Sequence, residues 1–337
     1  MNQTNISVIV CTYNRAKMLF LALESLICQE TDGAFSYEVL IIDDASTDGT
    51  RSAVSKLSQS SRVPIRYVLA EGKGIAYARN RGLQESCSEW VAFFDDDQLA
   101  EPTWLKELFA CASEMKTGCV GGKRLLLLSQ EYIASLSRTA RKLLGEIDFG
   151  NKPKKCGRKE FPAAGNALLK RSIFDTVGQF DESLRQGGED IELAQRMRTA
   201  SLCTWYTPAA VVRHMIPEYR LKEEYLVWNS QRAGDCFAYR DYLEWGLMKT
   251  ALACFARIGR AILINVPGLV WAYLRADEAR LLEQKCLLWR AVGYAVQTLN
   301  LALPWPFLQE RFVSRLEFRK ERQMFLVDSH HPKKDTR

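Results

Sequence analysis

Three carboxylates stand in a row at Asp95, Asp96 and Asp97, directly after the apolar run VAFF at residues 91–94. A short apolar run of this kind is typical of a buried strand. Adjacent negative charges repel one another unless a cation lies among them, and Mg²⁺ is often held by one or two carboxylates together with substrate phosphates. The segment therefore predicts a divalent-cation site, with Mg²⁺ and Mn²⁺ both open. A solvated acidic turn is the alternative interpretation.

Two further polar clusters follow predicted strands. The run at residues 6–11 is followed by Thr12, Tyr13, Asn14 and Arg15, and the run at residues 37–42 by Asp43, Asp44, Ser46 and Asp48. Ligands of doubly wound sheets bind outside the carboxyl ends of the strands, so we expect the three clusters to share one cleft. No GxGxxG follows the first strand, and neither GxxxxGKS nor GxxxxGKT occurs. A nucleotide site here would therefore use side chains and a metal ion instead of a glycine-rich phosphate loop.

The elements that must position these clusters alternate along the N-terminal half. Strand patterns occur at residues 6–11, 37–42, 64–69, 90–94 and 118–128, and helical patterns at residues 16–29, 46–57, 75–86, 131–144 and 190–200. Residues 145–160 are rich in Gly, Lys and Pro and are predicted to form a flexible loop. Strands that alternate with helices predict an α/β fold with a mostly parallel, doubly wound sheet.

Composition and charge limit the class of protein. The chain has 337 residues, 47% apolar and 26% charged, which is typical of a globular protein with one large domain and an appendage. Residues 1–212 carry 26 basic and 26 acidic side chains, whereas residues 213–337 carry 20 basic and 14 acidic ones. The excess positive charge therefore lies in the C-terminal part and predicts a negatively charged partner, either lipid headgroups or nucleic acid.

The cysteines and the N-terminus indicate a cellular setting. The ten cysteines include no CxxC pair, so we expect reduced thiols in the cytoplasm and neither a zinc site nor a disulfide framework. The N-terminus has no basic segment followed by a long apolar one, and no cleaved signal peptide is expected.

Seven segments, in order, resemble the motifs of the family 2 glycosyltransferases, which have the Rossmann-like GT-A fold. They are SVIVCTYN (7–14), EVLIIDDASTD (38–48), ARNRG (78–82), FDDD (94–97) followed by Pro102, GN (165–166), FD (180–181) and GED (188–190). The resemblance covers residues 6–214. It implies a metal-dependent enzyme that moves a sugar from a nucleotide-sugar donor to an acceptor hydroxyl with inversion at the anomeric carbon.

The resemblance also implies roles for individual residues. Asp97 and His214 would hold the metal ion, and Asp190 would be the catalytic base, with Glu189 orienting the acceptor or the base. The nucleotide-sugar would contact Thr12, Tyr13, Asn14, Asp44, Arg79, Asp95 and Asp96. The alternatives are that Asp190 is only a helix N-cap, that Arg79 is a surface cation and that His214 is structural. Asp44 and the usual donors of the family favour UDP as the nucleotide of the donor, with GDP and dTDP as alternatives.

One family motif is missing. Processive members carry QxxRW well after the catalytic carboxylate, but here Gln195-Arg196-Met197 begins only five residues beyond Asp190 and lacks the spacing and the Trp of that motif. The enzyme is therefore expected to be non-processive, adding one sugar per encounter.

The C-terminal third, outside the resemblance, is apolar and basic. Only 14 consecutive residues (261–274) and then 19 (291–309) lack charge, and we interpret them as amphipathic helices joined by the charged residues 275–290. With Trp271, Trp289 and Trp305 and the basic residues of 311–322, they predict contact with an anionic membrane surface. A soluble helical subdomain, a dimer interface and a two-span hairpin are alternatives.

The sequence thus predicts a GT-A domain at residues 1–220, a helical, membrane-associated region at residues 221–327 and a disordered tail at residues 328–337. We expect a peripheral enzyme at the inner face of the cell membrane, acting in cell-surface polysaccharide or glycolipid synthesis on a glycan or lipid-linked acceptor. Nucleic acid is not an expected partner, because no nucleic-acid-binding motif occurs. A sugar-nucleotide nucleotidyltransferase and a non-catalytic GT-A-like binding subunit are the competing functions.

Overall fold

The computed structural model describes residues 6–157, 160, 164–184 and 188–303. The chain divides into two compact units, one made of Met1–Leu127 and Gly145–Met215 and the other of Leu128–Leu144 and Ile216–Arg337. The prediction placed the domain boundary at residue 220, whereas this division assigns residues 128–144 to the second unit. There the Asn229 side-chain amide donates to the Leu143 carbonyl (2.7 Å), and Thr139 donates to Glu283 (2.8 Å). The predicted tail at residues 328–337 lies outside the described residues.

The first unit is built on a nine-stranded sheet in the order β3-β2-β1-β4-β8-β6-β9-β5, with β7 paired to β9. Its strands are β1 (Ile6–Thr12), β2 (Tyr37–Asp43), β3 (Ile65–Leu69), β4 (Trp90–Asp95), β5 (Gln98–Ala100), β6 (Cys119–Leu127), β7 (Lys154–Lys155), β8 (Asn166–Lys170) and β9 (Thr204–Met215). Strands β3, β2, β1 and β4 run parallel, whereas β8 is antiparallel to both of its neighbours. The parallel half is the part that carries the polar clusters at its carboxyl edge.

Helices cover both faces of this sheet. They are α1 (Ala16–Ile27), α2 (Thr50–Ser60), α3 (Ile75–Glu85), α4 (Trp104–Glu114), α7 (Ser172–Val177) and α8 (Glu189–Thr199). Helices α5 and α6 belong to the second unit. Successive residues of β1 point to opposite faces, so Val8 and Val10 pack against α1 and α4 while Ile9 packs against α3. Both faces are largely buried, which explains why residues 8–10 of β1 and 39–42 of β2 are continuously apolar instead of alternating.

The predicted elements differ from the observed ones mainly where a strand forms by pairing with a strand that is distant in the sequence. Strands β5, β8 and β9 and helices α4 and α7 were not predicted. Strands β5 and β8 are short and form by pairing with β9 and β4, which lie far away in the sequence. Helix α2 begins at Thr50, later than predicted, because Asp43 accepts the Ser46 N–H (2.8 Å) and holds a turn there. The predicted loop at residues 145–160 contains the short strand β7.

The second unit is helical. It contains α5 (Gln130–Ser135), α6 (Arg138–Leu143), α9 (Glu223–Arg260), α10 (Val266–Leu274) and α11 (Glu278–Ala302), with a π-helical turn at Ala261–Asn265. The single helix predicted at residues 131–144 is thus two short helices, each capped by a serine, Ser129 or Ser137, that accepts a backbone N–H. The charged residues 275–290, predicted to join two helices, lie largely within α11.

Helix α9 changes direction at Gly246. This residue has φ 74° and ψ 174°, a conformation that few residues other than glycine adopt. The segment after the kink continues through the π-helical turn into α10. Within the described part of the chain, no helix has both the length and the apolar character that crossing a membrane requires.

Candidate functional site

The carboxyl ends of three parallel strands bring the predicted clusters together. In the sheet register, Thr12 at the end of β1 lies beside Asp43 at the end of β2, and Cys11 lies beside Asp95 at the end of β4. The loops that leave these strands therefore meet at one edge, as the strand pattern predicted.

The three consecutive carboxylates have different surroundings. Asp96 and Asp97 are buried, whereas the side chain of Asp95 is 31% exposed. The Thr12 hydroxyl donates to Asp96 Oδ2 (2.8 Å), and Arg15 Nη1 lies 2.5 Å from Asp96 Oδ1 and 3.0 Å from Asp97 Oδ2. Burial raises the pKa of Asp96, although the Arg15 charge opposes this effect. Arg15 is thus a cation of the protein itself, placed between two of the carboxylates.

Asp97 and His214 face each other. His214 Nε2 lies 3.4 Å from Asp97 Oδ1, and both side chains are buried. Strand β9 brings His214 there, because it lies opposite Gln98 of β5 in the register. The separation is longer than a usual hydrogen bond, and it suits two neighbouring ligands of one cation that binds each at about 2.1 Å.

A divalent ion fits this pair only with help from a substrate. Within the described residues, no three His, Cys, Asp or Glu side chains are arranged to hold a metal ion. Asp97 and His214 supply one oxygen and one nitrogen, and Arg15 contacts the other oxygen of Asp97, so Oδ1 stays directed at His214. Mg²⁺ commonly completes such a partial site with water and phosphate oxygens.

Arg79 connects the carboxylate cluster to helix α8. Its Nη1 donates to Glu189 Oε1 (2.6 Å), its Nη2 lies 3.5 Å from Asp95, and its guanidinium lies over the Phe180 ring. Burial lowers the pKa of Arg79, but Glu189 and Asp95 together raise it above the usual value. The Arg79 side chain is buried, so it is not a surface cation; its predicted contact with the donor stays a prediction.

The predicted catalytic base, Asp190, lies in the first turn of α8. Helix α8 begins at Glu189, and the residue before it is Gly188 with φ 99°, so Asp190 is not the N-cap. Asp190 is half-buried, and its Oδ1 accepts the N–H of Ile191 (2.8 Å). Burial raises the pKa of its neighbour Glu189, whose Oε2 is buried without a hydrogen-bond partner in the described structure.

Two of the residues predicted to hold the nucleotide, Tyr13 and Asn14, follow the end of β1. Tyr13 is exposed, so a base can stack on its ring. Asn14 has φ 50° and connects two loops, because its N–H donates to the Ser46 hydroxyl (2.8 Å) and its Oδ1 accepts the Thr47 N–H (2.7 Å). Asn14 thus fixes the loop that presents Tyr13.

Asp44 holds the loop that precedes α3. Its two carboxylate oxygens accept the N–H groups of Lys73 (3.1 Å) and Gly74 (2.8 Å). Gly72 and Gly74 in this loop have φ 74° and 103°, conformations that favour glycine. Each oxygen of Asp44 keeps a lone pair for a further donor.

Asn80, in the matched segment at residues 78–82, forms hydrogen bonds with the backbone of a distant residue. The Asn80 amide donates to the Phe180 carbonyl (2.9 Å) and to Glu182 (2.8 Å), while its oxygen accepts the Phe180 N–H (2.9 Å). Asn80 therefore anchors the segment that leads towards α8.

Three residues of the site had no role in the sequence prediction. They are Arg15, Arg124, whose Nη1 lies 3.6 Å from Asp95 Oδ2, and Gly165, where a Cβ would overlap the Asp95 carboxylate. Gly165 was part of a matched motif, but its spacing does not reveal which side chain it accommodates. The two arginines have no local pattern that points to a distant carboxylate.

Comparisons with known proteins give a consistent result. The sequence model described as Glycosyl transferase family 2 matches residues 7–178, about half of the 337 residues. The Succinoglycan biosynthesis protein ExoM of Rhizobium meliloti (strain 1021) is 28% identical over 238 residues, which are 69% of this chain and 74% of the relative. Validoxylamine A glucosyltransferase of Streptomyces hygroscopicus subsp. jinggangensis (strain 5008) is 30% identical over 225 residues, 57% of this chain and 51% of that relative.

A solved structure is similar over most of the chain. The mannosyltransferase PcManGT from Pyrobaculum calidifontis, in complex with GDP-Man and Mn²⁺, superposes with a TM-score of 0.58 at 19% identity. The match covers 87% of each chain. At this level of identity the likeness concerns the fold.

Proposed function

The chain belongs to glycosyl transferase family 2 and is a glycosyltransferase with the GT-A fold, and we propose that it transfers a sugar from a UDP-sugar to an acceptor hydroxyl with inversion. The observation that carries the proposal is the position of Arg79. It contacts Asp95 at the end of β4 and Glu189 at the start of α8, so it connects the acidic cluster with the helix turn that carries Asp190. Inversion in a single displacement needs this arrangement, with diphosphate stabilisation and a base close together.

Asp97 and His214 would hold a divalent cation, which when bound would offset the negative charge that develops on the diphosphate leaving group. A mannosyltransferase of the same fold is known in complex with Mn²⁺. Arg15 keeps Asp97 in position through the carboxylate oxygen that does not face His214. The protein's part is therefore to present one oxygen and one nitrogen in a fixed geometry.

Asp190 is the proposed base. Its Oδ1 accepts the N–H of Ile191, which holds the carboxylate at the start of α8. The acceptor hydroxyl would give its proton to this carboxylate as it attacks the anomeric carbon. Glu189 would keep the first turn of α8 in place through its 2.6 Å contact with Arg79.

The donor's base would lie on the exposed ring of Tyr13, with Asp44 accepting the imide N–H of uracil. Support for single transfer comes from the residues nearest to a processive motif. Arg196 donates to Glu192 and to the Gln179 carbonyl, and Gln195 accepts from Arg198, so these side chains serve helix α8. A relative named as a succinoglycan biosynthesis protein supports a role in polysaccharide or glycolipid synthesis.

The test is a thermal-shift and donor-hydrolysis series with UDP-, GDP- and dTDP-sugars, each with Mn²⁺, with Mg²⁺ and with EDTA. We expect a UDP-sugar to raise the Tm only when a divalent cation is present, and to be hydrolysed slowly in the same condition. If GDP- or dTDP-sugars alone bind, the donor assignment is wrong. If no sugar nucleotide binds with either cation, the proposed chemistry is wrong.

A further inference from the structure

The second unit presents a row of large apolar side chains to solvent. The row runs along α9 after the Gly246 kink, through the π-helical turn and along α10, and its most exposed members are Met248 (80%) and Leu263 (76%). We call it the apolar stripe; it consists of Met248, Leu252, Phe255, Ile262, Leu263, Val266, Val270, Tyr273 and Leu274. Most of its members are three or four positions apart, which places them on one side of a helix. From residue 248 to residue 274 a helix extends about 39 Å.

The polarity of this helix is reversed with respect to a helix that packs in a water-soluble core. Its buried positions include the polar residues Thr250 and Asn265, together with Cys254 and Ala272. A helix of a soluble protein normally turns its apolar residues inward and its polar residues outward. Continuous apolar surface of this extent usually marks a contact with a protein or a membrane.

Charge indicates which of these partners covers the stripe. Residues 245–276 contain four basic side chains, Lys249, Arg257, Arg260 and Arg275, and no acidic one. Lys249, Arg260 and Arg275 are exposed, and the Arg275 guanidinium lies 4.6 Å from the centre of the Trp271 ring. Basic side chains beside an apolar helix face, with Trp and Tyr among them, suit the headgroup region of an anionic bilayer.

We propose that the apolar stripe lies flat in the headgroup region of an anionic phospholipid membrane, with Lys249, Arg260 and Arg275 contacting lipid phosphates. The uncharged run at residues 261–274 is too short to span a bilayer but long enough to lie on one. This inference is independent of the proposed catalytic function, because every residue it uses lies in the second unit.

Co-sedimentation of the full-length protein with vesicles tests the proposal. The vesicles contain phosphatidylcholine alone or equal parts of phosphatidylcholine and phosphatidylglycerol. We expect the wild type to bind the anionic vesicles, with binding weakened by salt, and to bind the neutral ones at least about tenfold less. The double substitution Phe255→Glu with Leu263→Glu should remove binding, whereas Leu21→Glu, at an exposed position of α1, should not.

A second pair of variants separates charge from apolar contact. Lys249→Gln with Arg260→Gln should weaken binding to anionic vesicles about tenfold, and the matched change at exposed Lys56 and Arg62 should have no effect. If the wild type fails to sediment with anionic vesicles, or if the double glutamate variant still does, the proposal is wrong.

If a second copy or another part of the chain covers the apolar stripe, the lipid-free protein should show it. Light scattering that shows a dimer, converted to a monomer by the glutamate pair, would assign the stripe to a second copy and overturn the proposal. A fall in Tm of that variant without lipid would mean that the chain itself covers the stripe, which also overturns it. The proposal expects a monodisperse wild type whose oligomeric state and Tm the variant leaves unchanged.

Discussion

At the scale of single residues, the carboxylate triplet is stabilised by arginines of the protein. The three adjacent carboxylates Asp95, Asp96 and Asp97 predicted a cation among them. The fold supplies Arg15 beside the latter two, and Arg79 and Arg124 within 3.6 Å of Asp95. The carboxylates are thus compensated by the protein itself, and the proposed metal ion would serve the donor instead of the fold. The sequence could reveal the carboxylates but not their partners, because the arginines come from a loop, a helix and a distant strand.

Replacing Arg15 should make the stability of the protein depend on metal. Arg15→Gln leaves Asp96 and Asp97 buried without their shared cation, and breaking such a pair costs about 3–5 kcal/mol. A divalent ion can then take over part of the lost attraction. We expect the Tm of this variant to fall and to be partly restored by Mn²⁺, whereas EDTA and Mn²⁺ leave the donor-free wild type unchanged.

Thermal unfolding with and without Mn²⁺ measures this effect. Arg62→Gln, at an exposed arginine, is the control and should behave as the wild type does. A wild-type Tm that drops on chelation would contradict the account of Arg15, because it would show that the metal ion, and not the arginine, compensates the carboxylates.

Gly165 sets the position of Asp95. A Cβ at this residue would overlap the Asp95 carboxylate, so Gly165→Ala should push that side chain away from Arg79 and Arg124. Misplacing a site group by about 1 Å can cost about 100-fold in rate. We expect donor turnover to fall about 10- to 100-fold with the fold retained.

Steady-state donor hydrolysis and circular dichroism check this prediction. Gly259→Ala is the matched control, because a Cβ there meets nothing within 4 Å. If Gly165→Ala keeps full turnover while folded, the position of Asp95 has no bearing on the chemistry.

At the scale of elements, the second unit depends on the close crossing of α9 and α11. A Cβ at Gly234 would overlap the carbonyl of Arg290, and one at Gly293 would overlap the carbonyl of Gln231. The crossing leaves Asp235 Oδ1 buried and without a partner in the described structure. Burial raises the pKa of Asp235 from 3.8 to about 7, against the opposing charge of Arg232.

This raised pKa gives the second unit a pH-dependent stability. Since the folded state favours the protonated carboxyl, the contribution of Asp235 is fully present below the unfolded pKa near 3.8 and is lost as pH rises through about 7. Asp235→Asn should therefore be more stable than the wild type at pH 8, by up to about 4 kcal/mol, and similar to it near pH 4. Urea unfolding at several pH values measures the difference, and a difference that does not change with pH would contradict the assignment.

Elements whose signal is local were predicted well. The strands at residues 6–12, 37–43, 65–69 and 90–95 and the helices between them agree with the sequence patterns to within a few residues, because apolar periodicity is strong there. Strand β5 is three residues long and gains its structure from β9. The kink at Gly246 was also missed, since a single glycine inside a helical pattern does not specify the backbone conformation that it adopts.

At the scale of the whole molecule, the proposed catalytic and membrane-binding residues lie in different units. Every residue predicted for the donor, the metal ion and the catalytic base lies in the first unit, and the apolar stripe lies in the second. The sequence predicted two regions, with their boundary near the end of the segment that resembles the family. Residues 128–144 join the second unit through contacts with residues 229 and 283, some 85 to 145 positions away, which no local pattern encodes.

The most direct test of the central claim compares Asp97→Asn and Asp190→Asn with the wild type in UDP-sugar binding and hydrolysis with Mn²⁺. Asp97→Asn should lose metal-dependent binding, because His214 alone cannot hold the ion. Asp190→Asn should bind the donor as the wild type does but hydrolyse it about 100- to 10,000-fold more slowly. The account would be contradicted if Asp190→Asn turned over at the wild-type rate, or if Asp97→Asn still bound the donor in a metal-dependent manner.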